Sequence, residues 1–215
     1  MANVNKNGLA AQISGTIDGI TITHHKNGTI SAKSKNKPSK IPRTKSQKSG
    51  TQCFKRFSKF SSSAIGFLRI GYALEVKKMG YISAFNACMK QAKSAITGEF
   101  PNQKIDFPNV LVTKGDMTPP ENASVTIHER GLAFSWDPEI TKDDQHYSDH
   151  AMLFVHFPGE IKSVYKIAGA LRGEGKDILL LSDELKGNIG EVYISFIKDE
   201  QDAISNSVYL GQVNW

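Results

Sequence analysis

The first hundred residues of this 215-residue chain contain almost no acidic side chains. Asp18, Glu75 and Glu99 stand against 17 lysines and arginines, so this part has a net charge of +14. Residues 101–215 have the reverse balance, with 10 basic and 18 acidic side chains and a net charge of −8. This segregation indicates two regions with different roles, and the basic region predicts a polyanionic partner.

Long apolar runs and informative cysteine patterns are also scarce. The longest apolar runs, Ala151–Val155 and Ile178–Leu181, fall far short of the roughly 20 residues that a membrane span needs. The N-terminus lacks the apolar core of a secretory signal, so we expect a cytoplasmic location and no membrane partner. Cys53 and Cys88 fit no zinc-binding spacing, and we expect small buried side chains rather than a disulfide.

Residues 12–32 have the pattern of extended structure. Apolar and polar residues partly alternate along Ile17–His24, which predicts a strand. Asn27-Gly28 predicts a type I′ turn, because both central residues of that turn need a positive φ, and Thr29–Ala32 would form the return strand. A lone hairpin is marginal in water, so this one requires a partner surface.

Two helices are predicted to follow. The first begins near Thr44, since Thr44 and Gln47 have the spacing of a capping box. Its apolar stripe recurs at three- and four-residue steps and comprises Cys53, Phe57, Phe60, Ala64, Phe67 and Leu68. The second helix spans about Ser83–Thr97 with Gly98 as its stop, while residues 71–80 fit either a helix or a connection.

From residue 101 onward the chain consists of short β-rich runs separated by prolines and other turn residues. These runs are Val110–Val112, Val125–Ile127, Leu132–Trp136, Ala151–His156, Val164–Ile167, Ile178–Leu181, Val192–Ile197 and Ser207–Leu210. Their spacing is typical of an antiparallel sandwich of about seven strands. Trp136 and Tyr193 have immunoglobulin-like or fibronectin-III-like positions, where core filling is their expected role.

The predicted fold class is therefore α+β. An N-terminal β-hairpin and two helices precede an antiparallel immunoglobulin/fibronectin-III-like β-sandwich. We expect three segments: a basic arm with the hairpin in residues 1–50, a helical region in residues 51–100, and an acidic β-sandwich in residues 101–215.

Several short stretches carry a family resemblance. They are Ala84–Ala87, Pro101–Asn102 with Ile105–Phe107, Val110–Val112 leading to Lys114 and Gly115, Asp149–Leu153, Val192–Phe196 and Ser205–Gly211. In these the chain resembles an uncharacterised family of Bacteroidota bacteria and their mobile elements. The N-terminal part resembles the family more loosely. Its similar features are the glycines Gly15, Gly19 and Gly28, the basic run at residues 33–48, and the pair Gln52 and Arg56. The resemblance implies a basic N-terminal half joined to a β-sandwich, and it implies no activity and no catalytic residues.

Residues 33–50 contain seven lysines and arginines, no acid and one aliphatic side chain, Ile41. Such a segment cannot bury enough apolar area to offset its ordering entropy. It fits either a phosphate-contacting arm or a solvated tail, and the density of charge favours the arm. The candidate nucleic-acid-binding residues are Lys33, Lys35, Lys37, Lys40, Arg43, Lys45 and Lys48, extended along the first helix by Lys55, Arg56 and Lys59.

Aromatic side chains interleave with the last of these cations. Base stacking on Phe54, Phe57 and Phe60 would suit a nucleic-acid partner. Their helical spacing instead favours packing in the core. No motif for base-specific reading is present, so contacts to the phosphate backbone are the expected mode.

Other polar clusters give weaker predictions. His24 and His25 are adjacent in a strand and point to opposite faces, so they cannot readily chelate one ion. The loop 143–150 holds three aspartates and two histidines, which fit a metal-dependent enzyme or, equally, a polar surface loop. Residues 169–175 are glycine-rich but lack the ending of a phosphate loop, and no G-x-S-x-G elbow exists. We expect no metal, no cofactor and no enzymatic activity.

The predicted function is that of a non-catalytic assembly or binding protein. Its basic region would dock on nucleic acid or on an acidic protein surface, and its sandwich would serve as an interaction module. A similar basic layout occurs in small proteins encoded near phage structural genes, so the alternative is a structural component of a virion or similar large particle. Opposite charges in the two halves also permit a homo-oligomer or a multi-subunit assembly.

Overall fold

The computed structural model describes residues 2–3, 13–25, 28–34, 41–138 and 148–215. The chain forms two compact units, Met1–Arg43 and Thr44–Trp215. The predicted boundaries after residues 50 and 100 do not coincide with this division, because the helices and the β-sandwich lie in one unit. The predicted α+β class, with an N-terminal hairpin, helices and then antiparallel sheets, is confirmed.

The N-terminal unit contains an antiparallel sheet with strand order β1-β4-β3-β2. Its strands are β1 (Ala2–Asn3), β2 (Gly15–Ile17), β3 (Ile20–His24) and β4 (Ile30–Ser34). The prediction of one strand through Ile17–His24 is wrong. Asp18 and Gly19 form a two-residue turn with φ values of 46° and 75°, the backbone of a type I′ hairpin. Gly28 has a φ of 76°, and its predicted turn partner Asn27 lies outside the described residues.

This sheet has no core of its own among the described residues. None of residues 13–25 and 28–34 is buried. Ile17 and Ile20, which flank the Asp18-Gly19 turn, are 52% and 48% exposed. The strands are therefore held by backbone hydrogen bonds with little apolar burial, which is a marginal arrangement in water.

The second unit begins with helices. They are α1 (Lys45–Ser63), α2 (Ile65–Gly71), α3 (Ala73–Met79) and α4 (Ala84–Met89), with a 3₁₀ turn at Lys90–Lys93. The predicted capping box is confirmed: the backbone N–H of Gln47 donates to Thr44 Oγ1 at 3.2 Å, and the backbone N–H of Thr44 donates to Gln47 Oε1 at 3.0 Å. This reciprocal pair fixes the start of α1.

The second predicted helix is too long. The regular helix ends at Met89, and Ile96–Thr97 instead forms β5, which pairs with β6 (Lys104–Ile105). Gly98 has a φ of 82° and follows this strand rather than ending a helix. Local periodicity cannot reveal this pairing, since β6 lies beyond the turn at Pro101 and Asn102.

Seven strands form the predicted sandwich. They are β7 (Ser124–His128), β8 (Gly131–Ser135), β9 (His150–Phe157), β10 (Lys162–Lys166), β11 (Lys176–Leu180), β12 (Ile189–Ile197) and β13 (Val208–Asn214). One sheet has the order β10-β9-β12-β13 and the other the order β11-β8-β7, and all neighbouring strands are antiparallel. This four-on-three arrangement is immunoglobulin-like or fibronectin-III-like.

The predicted strand at Val110–Val112 is not formed. Two of its backbone N–H groups donate to side chains instead of to a neighbouring strand. The N–H of Leu111 donates to Gln91 Oε1 at 2.9 Å, and the N–H of Val112 donates to Ser207 Oγ at 2.9 Å. The segment links the helices to the sandwich. Val110 and Val112 enter the core, although their segment pairs with no strand.

The four-stranded sheet is the middle layer of the second unit. Met152 and Phe154 of β9 pack with the helices, while Leu153 and Val155 pack with the three-stranded sheet. A strand buried on both faces has no polar alternation, which explains the continuous apolar run in β9. Tyr193 belongs to the helical side of this core, so its predicted core role is confirmed.

The remaining predictions about core and membrane have clear outcomes. Trp136 is buried against the ring of Phe196 at 5.8 Å, in agreement with a core role. Cys53 and Cys88 are both free thiols. Cys88 is buried as predicted, and burial raises its pKa to about 11, whereas Cys53 is only half-buried. Within the described ranges, the structure has no helix with both the length and the apolar character to cross a bilayer.

Candidate functional site

The helix α1 carries all its charge on one side. Its five cations are Lys45, Lys48, Lys55, Arg56 and Lys59, and it contains no acidic residue. Their three- and four-residue spacing places them within a stripe about 100° wide, which we call the basic stripe. The buried side chains Phe57 and Phe60 point to a different side, into the core. The stripe is therefore exposed along its length.

The basic stripe is electrostatically unfavourable for the helix itself. In the part of the chain that the structure describes, none of its five cations forms an ion pair. Lys45 and Lys48 lie in the first turn, where the helix dipole opposes positive charge. Lys55 and Lys59 are four residues apart and repel each other. Folding alone gives no reason for this arrangement.

The C-terminal part of the stripe borders a cleft of about 1170 Å³, which we call the α1 cleft. The helix contributes Gln52 and three cations, and β6 contributes a fourth cation. Residues of β5 and of the 3₁₀ turn after β6 form part of the remaining lining, and the sandwich forms the rest. The polar and aromatic lining residues are Gln52, Lys55, Arg56, Lys59, Phe60, Lys104, Asp106, Phe107, His156, Asn188, Glu191, Tyr209 and Gln212. Four cations and two carboxylates therefore face the same space.

Two hydrogen bonds bring Lys104 to α1. The side-chain amide of Gln52 donates to the carbonyl of Pro101 at 2.8 Å, and that of Gln103 donates to Ser49 Oγ at 3.0 Å. These contacts hold the 101–103 turn against the helix, and β6 follows directly. As a result, a cation from the acidic half of the sequence joins the basic stripe at the cleft.

The sandwich wall of the cleft is organised around Glu191. This β12 residue is only 3% exposed. Its carboxylate accepts hydrogen bonds from the hydroxyl of Tyr209 at 2.6 Å and from the side-chain amide of Gln212 at 2.9 Å. Burial, with a smaller contribution from Glu191, raises the pKa of Tyr209 well above its ordinary value. Tyr209 therefore remains a hydrogen-bond donor near neutral pH.

Aromatic and hydroxyl contacts anchor α1 to the sandwich beside the cleft. The imidazole of His156 packs edge-on against Phe60, with ring centroids 4.9 Å apart. Its Nδ1 lies 2.9 Å from Ser163 Oγ and 3.4 Å from Ser63 Oγ. Burial lowers the pKa of His156 to about 4, so the ring is neutral at physiological pH. The His156 contact that anchors α1 to the sandwich is thus uncharged at physiological pH.

The predicted binding residues fall into three groups. Lys55, Arg56 and Lys59 line the α1 cleft, and Lys45 and Lys48 continue their stripe along the helix. Lys33 on β4 and Arg43 belong to the N-terminal unit. The other three, Lys35, Lys37 and Lys40, lie outside the described residues.

The sequence pattern does not reveal Lys104 or the residues of the facing wall. Lys104 lies in the acidic half of the sequence, apart from the basic run. Glu191, Tyr209 and His156 sit in strands whose apolar character dominated the pattern. No local pattern identifies them, since they come together only when α1 packs on the sheet.

The aromatic prediction is right for two side chains and wrong for one. Phe57 and Phe60 are buried in the core, as helical spacing predicts. Phe54 is 59% exposed, because its position falls at the edge of the apolar stripe rather than within it. It does not line the α1 cleft.

The predicted metal and catalytic clusters are only partly described. The ring Nε2 atoms of His24 and His25 contact different groups, the Ile13 carbonyl at 3.1 Å and Ser31 Oγ at 2.9 Å. In the 143–150 loop, only residues 148–150 are described. Asp149 lies 3.8 Å from the guanidinium of Arg172, whereas His150 contacts the Gly169 carbonyl and Asp199.

No group of three or more metal-ligating side chains occurs within the described ranges. The side chains of Asp149 and His150 are engaged by different partners, as expected for neighbours on a strand. Asp143, Asp144 and His146 lie outside the described residues. The α1 cleft is therefore the site that the described geometry defines best.

A family model covers residues 12–211, which is nearly the whole chain. The chain belongs to DUF6266, a family of unknown function. The expectation of an uncharacterised family is thereby confirmed. A search of curated proteins finds no match. Membership in DUF6266 assigns no activity, so the function must be inferred from the basic stripe and the α1 cleft.

Proposed function

We propose that this DUF6266 protein is a non-catalytic nucleic-acid-binding protein whose basic stripe contacts backbone phosphates. The observation that carries the proposal is the arrangement of five cations along one side of α1, which has no acidic residue. None of these five cations forms an ion pair with another described residue. Each phosphate contact releases condensed counterions, which gives affinity without base recognition. The β-sandwich acts as an interaction module and supplies the other wall of the cleft.

The cost of the stripe supports this proposal. Cations in the first turn of α1 oppose the helix dipole, and like charges at helical spacing destabilise a helix by a few tenths of a kcal/mol per pair. A bound polyanion relieves both effects. Residues that serve binding at a functional surface commonly reduce the stability of the fold.

The test is a salt titration of binding to fluorescein-labelled oligonucleotides followed by anisotropy. We expect the affinity of the full chain to fall steeply between about 50 and 300 mM salt. The variant Lys55→Gln/Arg56→Gln/Lys59→Gln should reduce the slope of log K against log salt by about 2 to 3. Its thermal stability should be unchanged or slightly higher, because repulsion within α1 is removed.

A matched control removes the same charges elsewhere. Lys77, Lys93 and Arg130 are exposed and form no ion pair within the described part of the chain. The variant Lys77→Gln/Lys93→Gln/Arg130→Gln should retain most of the salt slope. Equal reductions of the salt slope in the two variants would contradict the proposal. An affinity that does not change with salt concentration, or tighter binding to an acidic polypeptide than to any oligonucleotide, would also contradict it.

A second candidate function is that of a subunit in a virion or similar large particle of Bacteroidota or their phages. It is favoured by the β1–β4 sheet, whose described residues 13–25 and 28–34 include none that is buried. A neighbouring subunit could cover this sheet. Sedimentation of the purified full chain after nuclease treatment tests this candidate: a large particle supports it, and a monodisperse monomer at every concentration contradicts it.

A further inference from the structure

The cations nearest the sandwich line a concave space instead of a convex ridge. Lys55, Arg56 and Lys59 share the α1 cleft with Lys104. The cleft volume of about 1170 Å³ exceeds the range of roughly 300–1000 Å³ that small-molecule pockets occupy. An occupant that fills it is therefore larger than one small ligand and carries several negative charges.

The opposite wall offers groups that suit unstacked bases. Gln212 is exposed in this wall, and its side-chain amide can both donate to and accept from the edges of bases. Phe107 and Tyr209 provide aromatic surface in the same cleft. The faces and the Watson–Crick edges of bases are open to such groups only in single strands, since stacking and pairing cover them in a duplex.

The charge pattern also distinguishes between polyanions. An acidic peptide would bring its carboxylates toward Asp106 and Glu191 as well as toward the cations. A nucleotide separates its phosphate from the hydrogen-bond donors of its base, so one strand can satisfy a cationic wall and a carboxylate wall together. A rigid duplex exposes phosphates on its outside, which fits a ridge better than a cleft.

We propose that the α1 cleft binds a single-stranded segment of nucleic acid, with phosphates on the α1 cations and bases toward the β12–β13 wall. This inference rests on the proposed nucleic-acid-binding function and adds to it the strandedness and the orientation of the ligand.

The first test compares one labelled oligonucleotide with its duplex at the same salt concentration. Electrostatics alone favours the duplex, because its charge density is higher. We expect the single strand to bind at least about 5-fold more tightly, since only its bases can stack on the aromatic side chains of the cleft. Equal or tighter duplex binding overturns this inference and leaves the proposed function standing. If neither form binds in a salt-dependent way, both fail.

The second test places a carboxylate inside the cleft. Ile189 lines the cleft and is 54% exposed, whereas Ile82 is 85% exposed and lies outside it. At physiological salt a charge acts over about 8 Å, so Ile189→Glu should weaken single-strand binding at least about 5-fold and Ile82→Glu less than 2-fold. Equal effects of the two substitutions would overturn the inference.

A further variant covers the case in which Ile189→Glu unfolds. Thr97 is exposed on β5 and lines the same cleft, so Thr97→Glu should weaken single-strand binding in the same way. Photo-cross-linking of the bound strand provides a readout without substitutions. Cross-linked peptides should include Phe107 or Tyr209, and cross-links confined to the basic arm would contradict the proposed orientation. Displacement of the strand by polyglutamate at equal charge concentration would also contradict it.

Discussion

His156 occupies a position where a protonated imidazole is disfavoured. It is 3% exposed, packs against Phe60 and Phe107, and has hydroxyl partners on Ser63 and Ser163. Burial lowers its pKa from the ordinary 6.5 to about 4. In the unfolded chain the same ring takes up a proton near pH 6.5, so between these values the unfolded state binds more protons than the folded state.

The stability of the folded protein should therefore fall as the pH drops from about 6.5 to about 4, and the contribution of His156 is fully present above that window. A pKa difference of this size corresponds to a change of roughly 3 kcal/mol in the free energy of unfolding. The variant His156→Gln should show a flatter dependence of the unfolding free energy on pH. Denaturant unfolding at several pH values measures this effect.

The control for this prediction is His128→Gln, which removes a half-buried imidazole at the end of β7. Carboxylates titrate in the same pH range, so only the difference between variants reports on His156. A pH dependence in His156→Gln that matches that of the wild type and of His128→Gln would refute the prediction.

Individual residues were predictable where the interaction is local. Thr44 and Gln47 are three residues apart, and their capping box depends on nothing else in the chain. The Asp18-Gly19 turn is also local, because Asp-Gly is a strong hairpin signature, but here it falls within a run whose apolar and polar residues alternate like those of one strand. The exposure of Phe54 does not follow from local interactions. It depends on how α1 packs, because this packing decides which edge of the apolar stripe of α1 is covered.

At the scale of elements, α1 depends on its N-terminal cap. The helix contains Gly50 in its second turn and has no acidic residue in its first, so both propensity and dipole disfavour its start. The reciprocal hydrogen bonds of Thr44 and Gln47 offset this. The cap therefore also positions the basic stripe.

We expect Thr44→Ala to destabilise the second unit by about 1 kcal/mol, because an orphan backbone N–H loses its acceptor. The melting temperature should fall by about 2–4 °C for a unit of this size. Ser46→Ala, at the second position of the helix and outside the Thr44–Gln47 capping box, should change the melting temperature by less than about 1 °C. Thermal unfolding followed by circular dichroism makes the comparison, and equal shifts would contradict a capping contribution.

Other elements depended on distant partners. Ile96–Thr97 looked like the end of a helix, yet it pairs with Lys104–Ile105. Val110–Val112 looked like a strand, yet Gln91 and Ser207 satisfy its backbone. In both cases tertiary contacts overrode a weak local preference, as they commonly do in short segments.

At the scale of the whole molecule, the helices and the sandwich share a core. One face of the four-stranded sheet, with Met152, Phe154 and Tyr193, packs in a cluster with helical side chains. The other face packs with the three-stranded sheet. A sandwich without the helices would expose one of these apolar faces to water.

We therefore expect a chain of residues 44–215 to unfold in one cooperative transition, and a chain of residues 101–215 to aggregate or to bind a hydrophobic dye. Size-exclusion chromatography and thermal unfolding of both fragments test this expectation. A monomeric 101–215 fragment with a cooperative transition near that of 44–215 would show that the predicted third segment is independent.

The sequence by itself determined the charge of α1, its cap and the strand-rich character of residues 101–215, because these follow from spacings within one turn or one strand. Only the tertiary structure decided that α1 covers the sandwich and that Lys104, Glu191 and Tyr209 complete a cleft beside the basic stripe. Hydrophobic burial is non-directional, so an apolar face does not encode which other face it meets. The site forms at that meeting, between residues separated by up to about 160 positions.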